Sequence, residues 1–254
     1  MAVITVLVLL VNLSVNPWLA RYRSLAVMTG YDWSYERDSL PRDAGVRVDM
    51  PLSASGYYPR MITFNADQQM SAWLGVPVRF TVDFTFGDFE AWAPHSSIFD
   101  PDDARYGAYV GSYFLAGLGR PLTAREVAQV AEFDQRQLAL PALGLGIRDN
   151  HFDVLESVSA PATFAGHDWT GHDAVISTNC PDHSPDGFHA HHLQFGRPPA
   201  TSVEYPVCQM LARIEVTYLA DRDVSVGLYI MAASLAELDR LSELVVRRAA
   251  LTLD

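Results

Sequence analysis

The chain has 254 residues, 49% of them apolar, which is enough to build a core in one large domain or two small ones. Its formal net charge is −12, and all 18 basic residues are arginines, because the sequence holds no lysine. That excludes Schiff-base and P-loop lysine chemistry. It also argues against nucleic acid as a partner, since phosphate binding needs a basic patch and these arginines are scattered among a larger number of acids.

From Ala2 to Ala20 the chain runs without a charge. At helical rise this stretch reaches roughly 28 Å, close to the apolar thickness of a bilayer. Trp18 would sit at the −3 position of a cleavage after Ala20, where a small residue is wanted, so the run reads as an uncleaved transmembrane anchor over residues 1–23. The competing reading is a buried strand, because Val3, Ile4, Thr5, Val6, Val8 and Val11 are β-branched. Residues 24–254 then form one globular domain, expected outside the cytoplasm. Arg21 and Arg23 argue for the opposite orientation by the positive-inside rule.

Beyond the anchor the pattern predicts an α+β domain with a largely antiparallel sheet. The segment VRFTVDFTF alternates, with Val78, Phe80, Val82, Phe84 and Phe86 on one face and Arg79, Thr81, Asp83 and Thr85 on the other, as a half-buried strand does. VRVDM at 46–50 and MITFNA at 61–66 are shorter strand candidates, and 106–118 reads as a glycine-interrupted strand or a small-residue helix. Thr123 and Glu126 have capping-box spacing ahead of Val127, Val130 and Phe133, and Ser234 and Glu237 repeat it ahead of Leu238, Leu241 and Val245. Between these helices, 213–231 reads as a hairpin turning near Asp221, with Ile214, Val216 and Tyr218 facing Val224, Val226 and Leu228. A hairpin followed by a helix suits an α+β ending.

Residues 166–192 hold six of the eight histidines. Prolines at 181, 185, 198 and 199 exclude a long helix there. If HAHHLQF is a strand, His189 and His191 share a face with Leu193 and Phe195, and two imidazoles about 6.6 Å apart along a strand can converge on one zinc ion. The remaining ligands would come from His183, His172 or Asp182. A solvated polar loop is the competing reading. Cys180 and Cys208 can close a disulfide in an exported domain, whereas in a reducing compartment Cys180 and His183 have zinc-ligand spacing.

Weaker candidates are Asp100, Asp102 and Asp103 as calcium ligands, and Glu36, Asp88 and Glu90 as paired carboxylates. No G-x-S-x-G, H-E-x-x-H or G-x-G-x-x-G pattern occurs. The expected function is a membrane-anchored extracytoplasmic binding or scaffolding domain with an accessory metal site in the His-rich loop. The alternative is a zinc-dependent hydrolase in which His189, His191 and a third ligand hold the ion and Asp182 or Asp186 acts as base.

Overall fold

The computed structural model of the chain describes residues 37–50, 62–86, 102–139, 151–164, 166–179 and 207–253. In chain order the elements are α1 (Leu40–Ala44), β1 (Val46–Asp49), β2 (Ile62–Asn65), α2 (Asp67–Leu74), β3 (Arg79–Phe86), β4 (Tyr109–Ala116) and α3 (Ala124–Phe133). A π-helical turn (Asp134–Ala139), β5 (Phe152–Phe164), β6 (His167–Asn179), β7 (Val207–Leu219), a 3-10 turn (Ala220–Arg222), β8 (Val224–Ala232), α4 (Leu235–Arg248) and β9 (Ala250–Leu253) complete them.

Seven strands form one sheet in the order β2-β3-β4-β8-β7-β6-β5, and every neighbouring pair is antiparallel. β1 and β9 pair separately. The described residues are therefore β-rich, and the expected α+β class is overturned. No helix among the described residues is long and apolar enough to cross a membrane. The apolar run 2–20 lies outside the described residues. The strand content exceeds the expectation because β6 is spelled largely in His, Asp, Thr, Gly and Ser, a composition that reads as loop, and β5 carries Ala, Ser and Pro161 where strong strand formers would stand.

The sheet is covered on both faces. On one, Met70 of α2 and Val127, Val130, Ala131 and Phe133 of α3 pack on Phe80, Phe84, Tyr113, Ile176, Met210 and Ile214. On the other, Leu40 of α1 and Leu238, Leu241, Leu244 and Val245 of α4 pack on Val110, Phe114, Val226, Leu228 and Ile230. A strand buried on both faces needs apolar residues at successive positions, which explains the uninterrupted burial of VSVGLYIMA in β8. The same burial accounts for the glycine-interrupted segment at 106–118, which is strand β4 and buried at all but its last position.

Local signals place the helices. Thr123 accepts from the Glu126 amide while the Glu126 carboxylate accepts from the Thr123 amide, completing the predicted capping box at α3. Ser234 caps α4 by accepting from the Glu237 amide. Buried Thr81 accepts from the Leu40 amide at 3.0 Å, tying α1 to the sheet. The indole of Trp73 donates to the Gln129 carbonyl at 3.0 Å and ties α2 to α3.

One expectation fails in register. Leu219 pairs with Val224 across the 3-10 turn, so Ile214 lies opposite Tyr229 and Val216 opposite Gly227. Ile214 and Val216 thus face α3, whereas Val224, Val226 and Leu228 face α4. With both faces apolar, alternation carried no information about which residues share a side.

Gly227 lies opposite Tyr113 in the central β4–β8 pair, and a Cβ there would come within 2.0 Å of Tyr113 Cζ. The phenol ring lies flat where a side chain would stand. Gly227→Ala should therefore lower stability by about 1–3 kcal/mol in urea denaturation, the cost of overpacking a closed core. Unchanged stability would mean that the ring does not rest on this backbone.

Candidate functional site

The sequence directed attention to the His-rich stretch, and the described residues contain only its first part. His172 lies on β6, while Cys180, Asp182, His183, Asp186, His189 and His191 lie outside the described residues, as does the predicted strand HAHHLQF. Glu36, Asp88, Glu90 and Asp100 are outside them too. Among the described residues, no three His, Cys, Asp or Glu side chains converge as a metal site would need. A zinc site using His172 would therefore need at least one ligand from outside the described residues. Asp102 and Asp103 are the described calcium candidates, and Asp103 is held by Arg105 at 2.6 and 2.7 Å, a hydrogen-bonded ion pair that lowers its pKa.

His172 is 5% exposed and points to the α3 side of the sheet. Its Nδ1 lies 2.8 Å from Oγ of Ser159, directly across on β5. Burial pushes its pKa below the ordinary histidine value, so the ring is neutral at pH 7. Ala124, Ala128 and Ala131 stand at i, i+4 and i+7 on α3, and their short side chains leave a cleft against His172, Val154, Ser157 and Tyr229. The open space there is about 10 Å³, the room of a single water. An organic ligand needs about 300 Å³ or more, so this cleft is a packing seam and not a ligand pocket. Among the described residues, no carboxylate bonds the second ring nitrogen of His172, so within them Ser159 and His172 form a pair and not a triad.

The α4 side of the same strands carries charge. Arg213 on β7 bonds Asp173 of β6 at 2.6 and 3.1 Å and reaches Asp239 of α4 at 3.3 Å, fastening the helix start to the sheet. Burial raises the pKa of neighbouring Glu215, whose carboxylate fills the space above Gly171. At the far end of β5, His151 Nε2 lies 2.8 Å from Ser177 Oγ and 3.4 Å from Asp153.

What distinguishes this side of the molecule is β5 itself. It ends the sheet, and among the described residues no strand pairs with its outer edge. Leu155 is 50% exposed and Val158 70% exposed, and every residue from 155 to 161 is exposed. A bulge between Val154 and Glu156 breaks the ladder at one end of this run, and Pro161, with no N–H to offer, limits it at the other. The open stretch is 156–160, ESVSA; Asp153 and Glu156 are the acids of β5 itself, and Asp173, bonded to Arg213, lies across from Val158 on β6. A signal existed in the sequence, since Val158, Ala160, Ala162 and Phe164 alternate with Ser157, Ser159, Pro161 and Thr163, but small residues and Pro161 make it faint.

A second feature was also missed: the carboxyl of Asp134, 1% exposed, accepts from the hydroxyl of Tyr109 between α3 and the sheet. A signal existed, because Asp134 is a polar residue on the apolar stripe Val127, Val130, Ala131 at i+7.

Cys208, near the start of β7, is disulfide-bonded, and the sequence contains one other cysteine, Cys180. Comparison with known proteins adds no identity: no family model, no curated protein and no solved structure matches the chain.

The histidine geometry sets an expected outcome. A ring whose folded pKa is depressed contributes stability that is present above the unfolded value of about 6.5 and lost as pH falls through the folded value. NMR titration should find His172 with a midpoint below about 6.5. Ser159→Ala should cost about 1 kcal/mol in denaturant unfolding by leaving Nδ1 unpaired. A midpoint at or above the ordinary value would show that the ring is solvated.

Proposed function

We propose that the chain is a binding domain that takes an extended, basic polypeptide segment as an added strand along residues 156–160 of β5. The observation that carries this reading is the exposed outer edge of β5, with Leu155 and Val158 beside it. An unpaired edge offers backbone donors and acceptors to another strand, and exposed apolar side chains give that strand something to cover. The partner's charge follows from the chain: the edge carries Asp153 and Glu156, and the net charge is −12. The bulge and Pro161 restrict the added strand to a short one.

A binding role is also favoured by what the described residues offer chemistry. The seam beside His172 has room for one water, and no group of metal ligands converges among them. The zinc-hydrolase alternative rests on His183, His189, His191 and Asp182, which lie outside the described residues. The disulfide at Cys208 supports an oxidising, extracytoplasmic location for the domain.

Two experiments test these readings. Panning a random-peptide display library on the purified chain should enrich peptides in which Arg or Lys alternates with β-branched residues. Their binding should slow amide exchange at 156–160 and weaken about tenfold or more in a Glu156→Arg/Val158→Arg double variant, whose added charge guards the edge. No enrichment, or binding indifferent to both substitutions, contradicts the proposed partner. For the thiols, the unreduced protein should resist alkylation and the reduced protein accept two labels, matching its two cysteines. Cys208→Ser should lower stability by about 3 kcal/mol, from a loop of roughly 28 residues no longer closed. Free thiols in the native protein would remove the argument for export.

A further inference from the structure

Asp134 stands where α3 gives way to the π-helical turn Asp134–Ala139. Such turns are often retained where they serve function. Its Oδ2 accepts from the Tyr109 hydroxyl, and its Oδ1, equally buried, has no hydrogen-bond partner. Among the described residues, the side chains that touch it are neutral. β4 presents the phenols of Tyr109 and Tyr113, β8 presents Tyr229, and burial raises the pKa of all three. The Gln135 side chain on the same turn leans towards the carboxyl and slightly favours its charged form without completing a hydrogen bond, and Arg136 of that turn is bonded to Glu132 at 3.0 Å. From β3, the charge of Asp83 acts on Tyr109 and is of the same sign as an ionised Asp134. α2 packs here through Met70 and Trp73, which carry no charge.

A carboxylate without a cationic partner in such a place costs several kcal/mol, and the group escapes that cost by keeping its proton. We propose that Asp134 is a protonation latch for the end of α3. Neutral, it lets the π-helical turn lie buried against the sheet; ionised, its carboxylate carries a desolvation cost that the strengthened Tyr109 bond only partly offsets, and the turn opens to water. Burial lifts its pKa to about 7, which places the change within the physiological range. The sign follows from linkage: with the folded pKa raised above the unfolded value of about 3.9, the stabilisation is complete below that value. It declines as pH rises towards 7 and is gone above it. The latch does not depend on the β5 reading, since Asp134 and β5 are separate features.

Hydrogen exchange of the full chain between pH 5 and 9, corrected for intrinsic rates, reads the latch directly. Protection of the amides at 134–139 should fall by up to tenfold per pH unit between pH 5 and about 7 and level off above it, while amides of β4 and β8 keep theirs. Asp134→Asn should keep the turn protected throughout and abolish the pH dependence. Wild-type protection that ignores pH, or an Asn variant with the same pH dependence, overturns the proposal. Should the variant fail to fold, carboxyl ¹³C titration of the wild-type chain decides: a midpoint near 7 supports the latch and one near 4 overturns it.

Discussion

The contact on which the sheet depends is the phenol ring of Tyr113 lying on the backbone of Gly227, at the centre of the β4–β8 pair. Only a residue without a side chain allows that ring to lie down. Once it does, β4 is locked to β8 in one register and Phe80 and Tyr113 come together at a ring distance of 6.5 Å. From that pair the sheet extends both ways, through β3 to β2 and through β7 and β6 to β5. Helix α3 seats Phe133 edge-on against Phe80 at 5.6 Å, so its placement follows from the same aromatic group.

Burial declines from that centre outwards, and the two functional inferences sit at different depths on this gradient. β8 is buried at every position, β7 alternates along its first half, and β5 is exposed from residue 155 to 161. A stable centre and an open rim are what a domain needs to offer a strand edge without losing its own fold. Asp134 occupies the opposite extreme. A fully buried acid is tolerated only because the surrounding packing of Tyr109, Tyr229 and Phe84 is too extensive to give way, with ring separations of 5.3 and 5.8 Å.

Legibility in the sequence followed the physical strength of each signal. Thr123 with Glu126, and Ser234 with Glu237, marked both helix starts because capping is local and needs no tertiary context. The alternation of Phe80, Val82 and Phe84 marked β3 because all three point to one core. The register of β7 on β8 was not legible: it turns on the 3-10 step at 220–222 and on Asp223 in a left-handed conformation, while the strands are apolar on both sides. β5 and β6 are faintly marked, since β6 is largely polar and β5 alternates Val158, Ala160 and Ala162 with Ser157, Ser159 and Pro161, residues mostly of weak strand preference. His172 was visible as a residue and not as a role, because Ser159, its partner, is remote in sequence and adjacent only through that ladder.

The central claim is that this sheet is rigid at β4–β8 and open at the outer edge of β5, and native-state hydrogen exchange at residue resolution measures it directly. Amides of β4 and β8 should exchange only through global unfolding, with a denaturant dependence equal to that of the whole domain. Amides at 156–160 should exchange through small local openings with almost no such dependence. Equal protection and equal denaturant dependence for the two sets would show that β5 is covered and cooperative with the core, and would contradict the account.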